Sequence, residues 1–446
     1  MVARTLVLGR NSSIRSSFGD KASQKACYRF LNNPKVTEQQ LTIEMFKRCR
    51  NLADGRHLLV IQDSSSFNLN NHYRRLKPDS GVGPIEDNFN LGFFLHASIV
   101  VDSFTDMLLG VSDLQLWHRV YNDPKRSSKI RRLPIEDKES YKWLKASQHS
   151  KEILQEAASI TFIEDRDGDI YEQFATVPNE KTHYVIRSSK DRKLKNGGKL
   201  FATMSQQSIA GYLTIPIHAE RRKKRASREA RVAVKLCKVS VCCPGEHPKK
   251  ELPDSIDLYA VEAIEEGYSE KDKIHWRLLT THSVECFDDA VVVIGMYKKR
   301  WNIEQLFRLL KKQGFEMEES QLESGWAIRK LCVLAINTVI RTMQLMMATE
   351  EEKEQSATHV FDKNEQACLD QINKQYQGKT QKQTNLYKPH TLLWAKWIIA
   401  RLGGWKGYKS QRPPGPITLK RGLDKFVNIY SGWQLALALY KDVGTQ

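Results

Sequence analysis

The sequence predicts a mixed α/β fold, a sheet with helices packed on its faces, and three observations predict it. Between residues 57 and 189, short apolar runs of strand type alternate with stretches of helical pattern. Two of the runs, FFLHASIVVD (93–102) and DMLLGVSDLQLWHRV (106–120), are only a few residues apart, which suits paired strands. Hydrophobic residues make up 40% of the 446, enough for real cores and too many for a disordered chain.

Residues 1 to about 56 read as helical and polar. Thr37 followed by Gln40 is a capping-box signature for a helix through LTIEMFKRCRNL (41–52). HLLVIQD (57–63) is the first strand, and the two runs above follow it. KESYKWLKASQHSKEILQEAA (138–158) is helical, SITFIED (159–165) is a strand ending in acid, GDIYEQFATV (168–177) begins a helix, and HYVIRSS (183–189) is a strand. Residues 190 to about 285 turn strand-rich and very basic, with GYLTIPIHAE, RVAVKLCKVSVCC and HWRLLTT, and read as an inserted β-subdomain. A helix over Tyr297–Lys311 and a more apolar one over 326–347 come next. ATEEEKEQSA (348–357) reads as a linker region, and LLWAKWIIARL (392–402) and WQLALALYK (433–441) as C-terminal helices.

Lys plus Arg number 70 against 52 Asp plus Glu, a net charge of +18, which points to a polyanionic partner, most often nucleic acid. No apolar run approaches the roughly 20 residues of a membrane helix, so no membrane partner is expected, and no signal peptide is read at the N-terminus. The eight cysteines make no CxxC pair. Cys242, Cys243 and His247 cluster, but adjacent cysteines rarely ligate one metal, so neither a zinc ribbon nor a disulfide framework is expected, and the compartment reads as cytoplasmic. There is no GxxxxGK[ST] loop, which argues against a P-loop motor.

On a helical wheel, Tyr297, Arg300, Glu304 and Lys311 fall within about 60° of one another, opposite Ile303, Leu306, Leu309 and Leu310. That face reads either as a solvated amphipathic helix or as a carboxylate ringed by cations beside a phosphate. Asp63 and Asp165 close strand-like runs, with Asp167 and Asp169 following. Singly these read as turn or cap residues, or as a solvated or calcium-like loop. Together with Glu304, on a basic chain, they read better as an all-oxygen site for Mg²⁺ or Mn²⁺, two of which would suit phosphodiester cleavage. RRKKRASREAR (221–231) reads as a solvated hairpin tip or, better in a chain of net charge +18, as a phosphate contact, and RSSKDRKLKNGGK (187–199) is similar. Trp276, on a predicted strand, is either core or a stacking platform for an extruded base.

The spacing Tyr-x2-Arg-x3-Glu-x6-Lys, met by Tyr297, Arg300, Glu304 and Lys311, resembles the signature of the DDE transposases of the insertion-sequence-four group, the group of the Tn-five transposase. CYRFLNNPKV (27–36), IQDSSS (61–66), KESYKWL (138–144), EDRDGDIY (164–171), THYVIRS (182–188), AKWIIARLGG (395–404) and SGWQLA (431–436) extend the resemblance along the chain. It implies a ribonuclease H-like mixed-sheet catalytic domain over 57–347, with the β-subdomain inserted at about 190–285. Helical regions flank it at 1–56, contacting DNA ends, and at 348–446, for dimerisation.

The resemblance also implies Asp63, Asp165 and Glu304 as catalytic, metal-binding carboxylates for two Mg²⁺ ions, with Mn²⁺ as substitute. Tyr297, Arg300 and Lys311 would grip a phosphate, Trp276 would stack on a flipped base, and Arg187 and Arg308 would contact DNA. The implied reaction is cut-and-paste transposition through a hairpin intermediate by a homodimer holding two transposon ends. The N-terminus looks shorter than in such relatives, so two alternatives stand beside it: a shortened inhibitor that dimerises without cutting, and a stand-alone nuclease.

Overall fold

The computed structural model describes residues 20–77, 80–85, 90–121, 133–217, 226–245, 251–350, 354–378, 384–408 and 411–443. The fold is mixed α/β. Two helices, α1 (Lys21–Asn32) and α2 (Glu38–Ala53), precede the sheet. The expected capping box opens α2: Gln40 N–H donates to Thr37 Oγ1 at 3.2 Å and Thr37 N–H to Gln40 Oε1 at 2.9 Å.

Strands β1 (His57–Asn68), β2 (Gly83–Pro84), β3 (Leu91–Asp102) and β4 (Leu108–Trp117) come next, then α3 (Tyr141–Ile153), β5 (Ser159–Glu164), α4 (Tyr171–Thr176) and β6 (Thr182–Arg187). Helix α5 (Leu200–Ser205) precedes β7 (Gly211–Ile217), β8 (Arg228–Cys242), β9 (Ser255–Glu265) and β10 (His275–Thr280). Helices α6 (Phe287–Lys298), α7 (Trp301–Lys311), α8 (Gly325–Met347), α9 (Lys363–Tyr376), α10 (Leu392–Leu402) and α11 (Pro416–Val443) complete the chain.

Among the described residues the strands form one ten-stranded sheet in the order β2-β3-β1-β5-β6-β10-β9-β8-β7, with β4 also on β3. β3 runs antiparallel to both β4 and β1, and β1, β5 and β6 are parallel. The strands from the basic middle of the chain continue this sheet through the antiparallel pair β6–β10. β3 is buried along nearly its whole length, as its continuous apolar run requires of a strand covered on both faces. One core packs Leu59, Ile61 and Ile163 against α7 and α8; the other packs Leu58, Val60 and Phe162 against α3 and α4. A third core joins the C-terminal helices around Phe361, Trp394 and Phe426.

Four readings change. First, α8 is 23 residues long and apolar enough by length and composition to cross a membrane, and 78% of its apolar window is buried inside the protein. Its Lys330 ammonium donates to the carbonyls of Leu31 (3.0 Å) and Asn33 (2.8 Å), satisfying the C-terminal end of α1. Second, β1 runs on past Asp63 to Asn68, because β3 offers it a partner at every position up to Gly92. Third, the helix expected over Tyr297–Lys311 is two helices. Arg300 N–H bonds to Tyr297 O (3.0 Å) and Ile303 N–H to Arg300 O (3.2 Å), and these i→i−3 bonds tighten the junction and turn Tyr297 inward.

Fourth, two arginines read as phosphate contacts belong to the framework. Arg192 Nε donates to the buried Asp169 at 2.9 Å, and Asp169 also accepts from the Ser189 and Lys190 amides. Arg228 pairs with Glu265 and Asp272. Residues 221–225 of the other basic run, and His247, lie outside the described residues. Removing one partner of the buried pair leaves an uncompensated charge. Arg192→Ala is therefore expected to lower unfolding free energy by about 3–5 kcal/mol in urea melts, without changing the salt dependence of any DNA binding. A DNA-affinity loss at unchanged stability would reverse that assignment.

Candidate active site

Strand alternation sends Ile61, Asp63 and Phe67 to the α7 face of β1 and Gln62 and Ser64 to the α3 face. Ile61 pairs with Ile163 on the parallel strand β5, so Asp63 and Asp165 come two residues later on adjacent strands. Asp165 caps a short turn at the end of β5, its Oδ1 accepting from Arg166 N–H at 2.8 Å. Asp63 Oδ1 accepts from Ser64 N–H at 2.7 Å. Glu304 lies in the first turn of α7, which packs on β1.

One guanidinium is the common partner of all three. Arg300 Nη2 donates to Glu304 Oε1 at 2.6 Å, and Nη1 lies 3.4 Å from Asp63 Oδ2 and 3.9 Å from Asp165 Oδ2. The side chains of Asp63, Asp165 and Glu304 keep 25%, 32% and 32% exposure, while that of Arg300 keeps 10%. Burial opposes the Arg300 charge, but Tyr297, Asp165 and Glu304 together hold it above its ordinary range. Burial pushes the Asp63 carboxyl up to about 6, with Asp165 and Glu304 adding to the rise and the Ser64 amide and Arg300 opposing it.

The remaining residues singled out in the sequence fall at graded distances. Tyr297 is buried and donates its phenol to Asp165 Oδ1 at 3.2 Å; burial, then the Asp165 charge, pushes that phenol up. Trp276 on β10 is half-buried and meets the Tyr297 ring edge-on, centroids 5.3 Å apart. Arg187 lies 3.9 Å from Asp165 and donates to His275 O at 3.0 Å. Lys311 lies farther along α7, 3.8 Å from Glu318 and over the Phe67 ring. Arg308 is exposed on α7. Asp167 and Asp169 do not join the cluster, Asp169 being held by Arg192.

Sequence reasoning missed Lys142 and Glu318. Lys142 sits 5.1 Å over the Trp117 ring; burial lowers its ammonium, opposed by Glu139, Asp167 and Asp63. Glu318 accepts from Asn68 N–H at 3.0 Å. No local pattern marks either residue.

Among the described residues, no three His, Cys, Asp or Glu side chains stand ready to hold an ion as they are. The donor set still suits a hard divalent cation: three carboxylates, all oxygen, already gathered on a single positive charge. No family model matches the chain. A cryo-EM structure of the piggyBac transposase synaptic complex with hairpin DNA aligns at 10% identity and TM-score 0.36, covering 75% of this chain and 56% of that one. The chain thus spans just over half the length of that neighbour, and at this score the likeness bears no functional weight.

The Asp63 shift gives a stability test. An acid whose folded value is raised favours folding while it stays protonated, and that contribution is lost as pH rises from about 4 to about 6. In metal-free protein at pH 7.5, Asp63→Asn is expected to gain on the order of 1–2 kcal/mol in chemical denaturation, and to gain nothing at pH 4. A loss of stability at pH 7.5 would contradict the assigned environment.

Proposed function

We propose that this chain is a metal-dependent DDE transposase of the insertion-sequence-four type, acting on double-stranded DNA as a homodimer. The observation that carries the proposal is the convergence of Asp63, Asp165 and Glu304, from two strands and a helix, on the Arg300 guanidinium. The strand order β4-β3-β1-β5-β6, three antiparallel strands followed by two parallel ones, supports a ribonuclease H-like catalytic layer.

Asp63, Asp165 and Glu304 would hold two Mg²⁺ ions, or Mn²⁺ in their place. Bound there, such ions lower the pKa of an attacking water or 3′-hydroxyl and steady the leaving oxygen. Arg300 supplies charge to the scissile phosphate once DNA arrives, and Lys311 adds a second cation on the same helix. Trp276, edge-on to Tyr297, offers an aromatic face to an extruded base, which a hairpin-forming step requires beside the cut. Arg187 and Arg308 would contact the backbone. The steps in order are nicking at the transposon end, hairpin formation, hairpin opening and strand transfer into target DNA.

The apolar side chains Ile429, Leu435, Leu437 and Leu439 are exposed along α11, which supports pairing of two protomers through the C-terminal helices. The cytoplasm, at the nucleoid, is the location that goes with this activity.

With oligonucleotides carrying the element's terminal repeats and Mg²⁺, Glu304→Ala is expected to abolish cleavage while gel-shift affinity stays within about two-fold. Undiminished cutting would refute the site. Trp276→Ala is expected to slow hairpin formation about ten-fold or more while sparing the first nick, since base stacking contributes roughly 1–3 kcal/mol. Equal losses at both steps would remove the base-flipping role.

A further inference from the structure

On the sheet face behind the carboxylates lies a row of polar side chains that the proposed mechanism leaves unused. Gln62, His96, Ser147, Gln173 and Glu164 are fully buried there. β1 and β5 share backbone register only as far as Ile61 and Ile163, so the ladder ends just before Asp63 and Asp165. Backbone pairing brings the two aspartates side by side, but no ladder bond joins their own positions, so side chains are the direct link between them.

The buried side chains form a hydrogen-bonded row with a direction. Gln62 Nε2 donates to Ser147 Oγ at 3.0 Å, so its carbonyl oxygen is the atom 3.2 Å from His96 Nε2. His96 Nε2 therefore carries the proton. Burial, with Lys142 nearby, holds this imidazole well below its ordinary range, so the ring is neutral and Nδ1 accepts from Ser64 Oγ at 2.9 Å. Ser147 Oγ donates to Gln173 Oε1 at 3.3 Å, which also accepts from the Tyr184 phenol at 3.2 Å. Gln173 Nε2 donates to Glu164 Oε2 at 2.6 Å and to Gly168 O at 2.8 Å. The row thus starts at the residue after Asp63 and ends at the residue before Asp165. Gly168 closes over its end: a Cβ there would lie 2.0 Å from Glu164 Oε2.

We propose that the row Ser64–His96–Gln62–Ser147–Gln173–Glu164 is a positioning device that sets the spacing of Asp63 and Asp165 from behind the sheet, and with it their fit to a divalent ion. It rests on the metal-site reading above. Each member donates to the next, so loss of one link leaves a buried group unpaired and removes the side-chain tie between the middle of β1 and the end of β5.

The test is Mn²⁺ titration of the full chain without DNA, followed by calorimetry. Wild type is expected to bind and Asp63→Asn to lose the ion, which secures the metal reading. Gln173→Leu, and the milder Ser147→Ala, are then expected to weaken Mn²⁺ binding by about 10-fold or more while metal-free DNA affinity stays unchanged. Glu164→Gln keeps an acceptor oxygen for Gln173 and is expected to retain near-normal affinity, whereas Glu164→Leu is not. Independently of any metal, nitrogen-15 spectra should show His96 as the neutral Nε2–H tautomer in wild type and lose that signature in Gln62→Leu.

Unchanged Mn²⁺ affinity in folded Gln173→Leu and Ser147→Ala, beside a binding wild type, overturns the positioning role alone. An Nδ1–H tautomer overturns the direction of the row. A wild type that binds no Mn²⁺ overturns the metal reading and the positioning role together.

Discussion

Three carboxylates cannot share one small volume without a cation among them, and here Arg300 is that cation. At separations of a few ångströms, repulsion among the acids amounts to about 1–4 kcal/mol per pair in the dielectric of a partly exposed cleft. The guanidinium's fork reaches Glu304 with one nitrogen and both aspartates with the other. The Asp63 carboxyl stays raised chiefly because it is buried, with the Asp165 and Glu304 charges adding to the rise.

The fold delivers the three acids by separate routes. Parallel pairing of β1 and β5 puts Asp63 and Asp165 side by side. The tight junction between α6 and α7 points Arg300 and Glu304 at that edge and turns Tyr297 inward onto Asp165. Helix α8, buried for most of its length, backs the core into which Ile303, Leu306 and Leu310 pack. The site is therefore carried on packed strands and helices, with the basic middle strands continuing the same sheet.

Much of this was legible in the sequence. Strand runs, the α2 capping box and the acids near strand ends follow from period, cap chemistry and composition, all local properties. The extension of β1 beyond Asp63 was not, since SSSFN looks polar until β3 supplies a partner for each residue. Nor was the break at Arg300, because the helical wheel stays amphipathic across it. The α9 helix was missed as well, because polar residues such as Lys363, Asn364, Gln371, Asn373 and Lys374 outnumber its apolar positions. Arg192 and Arg228 read as phosphate contacts because their partners, Asp169 and Glu265, are distant in sequence. The row behind the site was invisible for the same reason: its links join residues 9 to 85 positions apart.

Anomalous diffraction from crystals grown with Mn²⁺ and a cleaved-end DNA duplex tests the shared-cation account most directly. Manganese peaks are expected within direct coordination distance of carboxylate oxygens of Asp63, Asp165 and Glu304, with the Arg300 guanidinium moved off the acids and onto a phosphate. Manganese bound elsewhere, with Arg300 still clasping all three carboxylates beside the DNA, would contradict it.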